Sequence, residues 1–369
     1  MGDHKHAKHP YSELPASRYW KSAVAERHVT ELEDLYRPKF VLSPFDRITV
    51  AGSCFAQHVG RNLRAQGFWV LDKELAPPQL SEAVAAKYGY GIYSARYGNI
   101  YTARQLVQLI RDSLDGTVRE EDFWERGGRV FDALRPNVEP EGFDSLAEAV
   151  CHRRQHLARV RELIDETSVF IFTLGLTEAW ENAETGVVYP TCPGVIAGTF
   201  SETKYRFVNY DFPQVLADMQ EARVLLKEIN PEMKMLLTVS PVPLTATASG
   251  NHVLVATTYS KSVLRAVCGS MVETFDDVDY FPSYELIASP AARGFFYEPN
   301  LRSINRNGVA LVMSQFLAAH PAEILPEEET AEAEVAEEPR KGRKGEHRSE
   351  RERREDVVCE EALLEAFAK

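Results

Sequence analysis

The chain has 369 residues, of which 44% are hydrophobic, and this is enough apolar material for a sizeable core in one large domain or two. The formal net charge of −13 argues against non-specific binding to nucleic acids or to anionic membranes. The five cysteines are scattered and lack metal-ligand spacing, so we expect reduced thiols in the cytoplasm, with no metal and no cofactor. No run of residues reaches the length of a membrane span.

The composition divides the chain into three segments. Residues 1–34 mix aromatic and charged side chains without the apolar stretch of a signal peptide, and they are predicted to form an N-terminal arm. Residues 35–320 are predicted to form the folded domain. Residues 321–369 are rich first in Glu and then in Lys and Arg, which predicts a disordered charged tail with a short helix at 359–368. The basic tract could contact nucleic acid or a partner, or simply keep the tail solvated.

The first regular elements are a strand and a helix joined by a tight turn. Residues 48–51 are β-branched or apolar and predict a buried strand, and from Phe55 onward the apolar residues recur at helical spacing. Gly52 allows the turn between them, and Ser53 and Cys54 lie within it. Open α/β sheets bind ligands at such a place, where a strand ends beside a helix N-terminus. Ser53 and Cys54 are therefore candidate nucleophiles, the alternative being a buried pair that packs beneath the sheet.

The later elements alternate between strands and helices. Further strands are predicted at 67–71, 168–174, 235–239 and 278–281, and helices after Thr102 and at 146–164, 212–229, 257–268 and 308–316. Residues 122–137 predict a β-hairpin around two glycines, and residues 89–99 and 189–198 predict loops. This order predicts an α/β fold with a mostly parallel sheet that is covered by helices on both faces.

Residues 52–56 read Gly-Ser-Cys-Phe-Ala, and the chain resembles the GSCFA-domain family, a largely bacterial family placed among the SGNH (GDSL-like) hydrolases. The resemblance covers about residues 35–318. It also rests on the segments 97–101, 173–178, 237–242, 260–261 and 280–285. It implies a three-layer α/β/α sandwich and ester or acyl-transfer chemistry, although a fold does not by itself supply a reaction.

The resemblance puts Cys54, rather than Ser53, in the nucleophile position of the superfamily. The physical chemistry agrees, because the dipole at a helix N-terminus favours a thiolate, whereas a serine needs an adjacent base. Ser53 could instead cap the helix through its hydroxyl group.

Two later loops resemble the oxyanion-binding loops of the superfamily. Gly98 and Asn99 could supply a side-chain amide, and Gly175, Thr177 and Glu178 follow a central strand where the superfamily has Gly-x-Asn-Asp. Each loop could equally be an ordinary turn, the second one capped by Thr177 at the start of a helix.

The general base is less clear from the sequence. Many members of the family carry Asp-x-x-His late in the domain, but this chain has Asn300, Leu301, Arg302 and Ser303 there. His252, in a loop after the strand at 235–239, is the predicted base, or else it only caps backbone groups. His58, one helical turn after Cys54, is the second candidate.

Three charged side chains complete the predicted site. Glu285 is the family-like carboxylate that could orient the histidine, with Glu178 and Asp279 as alternatives. Lys261, read as lying near the start of a helix, could be a cation in the pocket. Arg302 could bind an anionic group of the substrate, or form a surface salt bridge.

These residues support two hypotheses. The first is an SGNH-like esterase or acyltransferase that acts on an acyl group of a saccharide or another small substrate. The second is a non-catalytic glycan- or ligand-binding module on a degenerate hydrolase fold, favoured by the missing Asp-x-x-His. The oligomeric state is left open.

Overall fold

The structure is a computed structural model, and it describes residues 9–32, 34–321 and 360–367. The strands are β1 (Ile48–Gly52), β2 (Phe123–Arg126), β3 (Arg129–Asp132), β4 (Val169–Leu174), β5 (Glu178–Asn182), β6 (Val188–Tyr189), β7 (Tyr205–Asn209), β8 (Lys234–Val239) and β9 (Val278–Tyr280). The α-helices are α1 (Ala56–Ala65), α2 (Glu82–Lys87), α3 (Ala103–Asp115), α4 (Leu146–Glu166), α5 (Phe212–Ile229), α6 (Val253–Thr274), α7 (Ser283–Ala288) and α8 (Arg306–Ala319). Short 3-10 helices lie at Ala16–Arg18, Val29–Glu31, Glu120–Asp122, Pro290–Ala292 and Glu360–Phe367, and a π-helix lies at Lys21–Ala25.

The central sheet is parallel, with the strand order β1-β4-β8-β9. Every residue of β1 and β4 is buried, as expected for strands that are covered on both faces. Beyond β1, the strand predicted at 67–71 is reduced to one parallel bridge between Ile48 and Val70. The prediction of an α/β fold with a mostly parallel sheet is confirmed.

The helices form two packed groups. One group contains α1, α7 and α8, and the other contains α3, α4, α5 and α6. The connections from β1 to β4, from β4 to β8 and from β8 to β9 all step the same way across the sheet, so right-handed crossovers put the group of α3 to α6 on one face. Because all four strands point the same way, Gly52, Leu174 and Val239 end at one edge of the sheet, and Ser53, Cys54 and Gly175 follow the strands at that edge.

Two small antiparallel sheets are added to this core. The hairpin predicted at 122–137 is present as β2 and β3. A second sheet with the order β6-β5-β7 was not predicted, and the residues after Thr177 form strand β5 rather than a helix. Its strands have at most five residues and β6 has only two, which is too short for a periodic pattern to stand out.

Helix α5 has the predicted bounds, whereas α4, α6 and α8 extend beyond theirs. Helix α6 covers Val253–Thr274, whereas 257–268 was predicted. The prediction was too short because exposed apolar residues in the first turn of α6 hide the amphipathic pattern. A short 3-10 helix, Glu360–Phe367, lies where the sequence predicts a terminal helix. The rest of the tail, for which disorder is predicted, lies outside the described residues. The boundaries of the arm, the domain and the tail stay predictions.

Candidate functional site

The turn after β1 is tightly packed against β4. Gly52 has a φ of +132°, and a Cβ atom on it would lie 2.3 Å from the carbonyl oxygen of Thr173. The backbone N–H of Ser53 donates to that same oxygen at 3.0 Å. Only glycine allows the two backbones to approach so closely, so the turn conformation depends on Gly52.

Ser53 faces the start of the loop that follows β4. Its side chain is 2% exposed, and its hydroxyl group has no hydrogen-bond partner among the described residues. The suggestion that this hydroxyl caps the helix is therefore wrong. A Cβ atom on Gly175 would lie 2.9 Å from the Cβ of Ser53, so the missing side chain of Gly175 makes room for Ser53.

Cys54 follows in the first turn leading into α1. The residue is 5% exposed, and its carbonyl oxygen accepts a hydrogen bond from the N–H of Gln57 at 3.2 Å. This places the thiol within one turn of the N-terminus of α1, where the helix dipole favours negative charge. The nucleophile role of Ser53 or Cys54 stays a prediction at this point.

The predicted loop around Asn99 closes over the same turn. The N–H of Ile100 donates to the carbonyl oxygen of Gly52 at 2.8 Å, next to Gly98, which has a φ of +70°. Asn99 is buried, and its Oδ1 accepts hydrogen bonds from Gln57 Nε2 at 3.3 Å and from the hydroxyl of Tyr93. The loop therefore holds the Asn99 amide in a fixed orientation beside the end of β1.

The turn after β4 is held at both ends. The N–H groups of Gly175 and Leu176 donate to the carbonyl oxygen of Tyr101 at 3.0 and 3.1 Å. The N–H of Thr177 donates to Ser260 Oγ at 3.0 Å, and its hydroxyl donates to Asn209 Oδ1 at 2.7 Å. The polar hydrogens of Thr177 thus have partners within the protein.

Glu178 comes directly after this turn. Its carboxylate accepts a hydrogen bond from the Thr247 hydroxyl at 2.7 Å. Burial raises the pKa of Glu178, because the charged carboxylate is partly removed from water.

Lys261 reaches the same turn from α6. The residue is buried, and its Nζ donates to the carbonyl oxygen of Gly175 at 2.5 Å. Because α6 begins at Val253, Lys261 lies in the third turn of that helix, so the expectation that it lies near the helix start is wrong. The contact with Gly175 nevertheless puts its ammonium group beside the turn after β4.

The two candidate histidines occupy different environments. His252 is exposed, and its Nδ1 accepts a hydrogen bond from the N–H of Leu254 at 3.2 Å, so it caps α6. His58 is half-buried beside Phe55, and burial, with a further contribution from Arg61, lowers the pKa of His58 to about 4. The role of His252 as general base stays a prediction.

Glu285 and Asp279 were predicted as carboxylates that could orient the histidine base, and both bind other groups. Glu285 forms an ion pair with Arg265 at 2.5 Å and accepts a hydrogen bond from the Tyr280 hydroxyl at 2.8 Å. Asp279 accepts hydrogen bonds from the Tyr36 hydroxyl at 3.0 Å and from the N–H of Lys39 at 2.8 Å.

Arg302 lies in the segment that replaces Asp-x-x-His. The N–H of Arg302 donates to Asn300 Oδ1 at 3.0 Å, and the residue is partly exposed. Nearby, the hydroxyl of Tyr297 donates to the carbonyl oxygen of Pro241 at 2.9 Å, which places this segment beside the residues that follow β8. Its role in binding an anionic group stays a prediction.

A buried charged network behind the Asn99 loop was missed by the sequence analysis. His156 is fully buried on α4, and its Nδ1 lies 2.7 Å from Glu74 Oε2. Arg135 and Arg153 bind Asp132 in the same network, at 2.7 and 3.2 Å. Arg153 and His156 lie on the same face of α4 as its buried apolar residues. Their position on this face is the signal in the sequence that could have predicted their burial.

The network makes stability dependent on pH. Burial, with the nearby Arg135 guanidinium, lowers the pKa of His156 to about 4 from an ordinary value of 6.5. Between these values the unfolded chain binds the proton and the folded chain does not, so the stabilisation is present above pH 6.5 and is lost as the pH falls towards 4. We expect the free energy of unfolding, measured by urea denaturation, to rise over this range by about 3 kcal/mol more in wild type than in His156→Gln.

The matched control is His28→Gln, which changes an exposed histidine in the same way. It should leave the pH dependence of unfolding unchanged. Identical curves for wild type and His156→Gln would show that His156 does not titrate differently in the folded and unfolded chains.

Within the described ranges, no group of three or more His, Cys, Asp or Glu side chains is arranged to hold a metal ion. A membrane-spanning helix is likewise not found in that part of the chain.

Fold and site together define an α/β protein with a serine and a cysteine in the turn after β1, at the carboxyl edge of its parallel sheet. The model of the GSCFA family matches residues 47–316, which is well over half of the chain. The chain therefore belongs to the GSCFA family. A search among curated proteins gives no match.

Proposed function

We propose that this GSCFA-family protein is an SGNH-like esterase or acyltransferase whose nucleophile lies in the turn at 52–56. The observation that carries the proposal is the hydroxyl of Ser53, which is buried at the end of β1 without a hydrogen-bond partner among the described residues. Buried polar atoms normally have partners, and exceptions occur at functional sites. Cys54, the next residue, holds the nucleophile position that the resemblance implies.

The proposed reaction proceeds through an acyl-enzyme. The thiolate of Cys54, or the hydroxyl of Ser53 after losing its proton, attacks the acyl carbonyl, and the departing alkoxide takes up a proton. Water then hydrolyses the acyl-enzyme in an esterase, whereas a second hydroxyl compound accepts the acyl group in an acyltransferase.

The neighbouring groups supply the remaining parts of this proposal. Backbone N–H groups of the turn and the amide of Asn99 stabilise the oxyanion, and Lys261 contributes positive charge beside Gly175. His252 is the proposed proton carrier, reaching the substrate from the N-terminus of α6. The cytoplasmic location inferred from the cysteines belongs to the same proposal.

The test is selective labelling of the turn residues. Wild type is alkylated over a range of pH values and the modified cysteines are mapped by mass spectrometry, with Cys54→Ala and His252→Ala as variants. Exposed Cys151 and fully buried Cys268 serve as internal references for a reactive and a protected thiol. We expect alkylation of Cys54 at lower pH than Cys151, slowed by His252→Ala, because a catalytic thiolate has a depressed pKa.

A reactive phosphonate, which phosphonylates serine, tests the alternative nucleophile in the same preparation. An adduct on Ser53, absent in Ser53→Ala, would assign the reaction to the hydroxyl. Alkylation of Cys54 no faster than that of Cys268, together with no adduct on Ser53, would contradict the proposal.

One set of observations favours a binding module without turnover. Ser53 and Cys54 are only 2% and 5% exposed, and Asn300 and Ser303 replace the Asp and His of the superfamily. A protein that recognises an acylated ligand would need neither an accessible nucleophile nor a base. The labelling experiment separates this function from the enzymatic one.

A further inference from the structure

An aromatic surface lies on the small antiparallel sheet. Trp180 on β5 pairs directly with Phe207 on β7, and their ring centroids are 5.8 Å apart. The ring of Phe200 packs edge-on against Trp180 at 5.2 Å. Phe200 is 40% exposed, and Trp180 and Phe207 are partly exposed. These three residues, called the aromatic surface below, present aromatic rings to solvent.

The aromatic surface continues into polar groups at its end nearest the candidate site. Glu178 lies two positions before Trp180 on the same face of β5, and it pairs with Asn209 on β7. Asn209 Oδ1 accepts the hydrogen bond from Thr177, and Glu178 accepts the one from Thr247.

This polar end joins the aromatic surface to the turn that packs against Ser53. Trp180 lies five positions after Gly175, so the distance between their Cα atoms is at most about 18 Å. A ligand of several rings can therefore span from the aromatic surface to the turn.

We propose that the aromatic surface is a binding site for a neutral saccharide. The faces of aromatic rings carry negative potential, which attracts the C–H groups on the flat side of a sugar ring. Sugar hydroxyls can bind the amide of Asn209 and the hydroxyl of Thr247, which are partly exposed and supply both donors and acceptors.

The surroundings favour a neutral saccharide over other ligands. Arg206 lies on the opposite face of β7, where it forms an ion pair with Glu181 at 2.7 Å, so it does not provide an anion site here. An acyl chain is bound best in an enclosed apolar groove, whereas this surface is open to solvent and bordered by polar groups.

This inference rests on the proposed function for its role in the reaction, where the saccharide would be the compound that carries or accepts the acyl group. The binding itself does not require catalysis. It is therefore tested in a Ser53→Ala/Cys54→Ala double variant, which has no nucleophile in the turn.

The experiment is calorimetric titration with three neutral saccharides, maltotetraose, cellotetraose and tetra-N-acetylchitotetraose. We expect at least one of them to bind with a millimolar or lower dissociation constant, and Phe200→Ala and Trp180→Ala to weaken that binding about tenfold. Trp180→Phe, which keeps an aromatic ring, should retain most of the affinity. Trp69→Ala is the matched control, because Trp69 is 54% exposed outside the aromatic surface and its loss should have no effect.

Phe200→Ala keeps the test valid if Trp180→Ala fails to fold, because Phe200 lies in an exposed loop outside the strands. The proposal is overturned if none of the three saccharides binds, or if Phe200→Ala binds as well as the parent protein. Binding of octanoate, in the absence of binding by any of the saccharides, would assign the surface to an acyl chain and overturn the proposal too. Saccharide binding without labelling of Ser53 or Cys54 would contradict the proposed reaction alone.

Discussion

Replacing Gly52 with alanine is expected to lower the free energy of unfolding by about 3–5 kcal/mol. The added Cβ would lie 2.3 Å from the carbonyl oxygen of Thr173, which belongs to the backbone of a central strand and cannot rotate away. The φ of +132° adds strain, because residues with a side chain rarely adopt it. Urea denaturation followed by circular dichroism measures the change.

Gly67→Ala separates the two causes of this loss. Gly67 also has a positive φ, of +81°, but a Cβ atom there would meet no heavy atom within 4 Å. We expect it to be destabilised only by backbone strain, by about 1 kcal/mol. Equal losses of stability from the two substitutions would mean that the close contact between β1 and β4 is not the reason why position 52 requires glycine.

Glu74→Gln should lower the free energy of unfolding by about 3–5 kcal/mol. Burial alone would raise the pKa of Glu74, but His156 and Arg135 hold it well below its ordinary value, so the side chain is a carboxylate in the folded protein. Its Oε2 also accepts a hydrogen bond from the N–H of Arg96 at 2.6 Å. Neutralising it leaves the fully buried guanidinium of Arg135 with less compensating charge.

Glu141→Gln is the control for this prediction. Glu141 pairs with Lys87 at 2.7 Å, but the two side chains are 65% and 53% exposed. Surface ion pairs contribute little, so Glu141→Gln is expected to lose much less stability than Glu74→Gln. Equal losses in the two variants would show that burial of the Glu74 network does not decide its contribution. The unfolding midpoints of both proteins, compared at pH 7, give the answer.

The buried network also fixes the Asn99 loop relative to α4. Arg96, three residues before Asn99, contacts His152 at 3.0 Å and Glu139 at 2.6 Å. A loop held by buried ion pairs keeps its amide groups in one geometry, which preorganised oxyanion binding requires. The network thereby connects the stability of the domain with the proposed chemistry.

The local sequence pattern was sufficient to predict those strands, helices and turns whose signals lie within a few consecutive residues. The strand at 48–51, the turn at Gly52 and the helix after it could be predicted because apolar spacing and glycine act within a few residues. The same holds for the buried strand β4 and the hairpin around Gly127 and Gly128, and hence for the α/β class and its parallel sheet.

Tertiary structure alone decided which distant groups meet. Lys261 reaches the carbonyl oxygen of Gly175 only because α6 packs beside that turn. His156 is buried because Glu74, Arg135 and Asp132 come from other segments to neutralise one another, and no spacing in the sequence records such a partnership. The sheet of β5, β6 and β7 depends in the same way on pairing between short strands. Local sequence thus determines the elements and the turn, whereas long-range packing determines the electrostatic environment of the site.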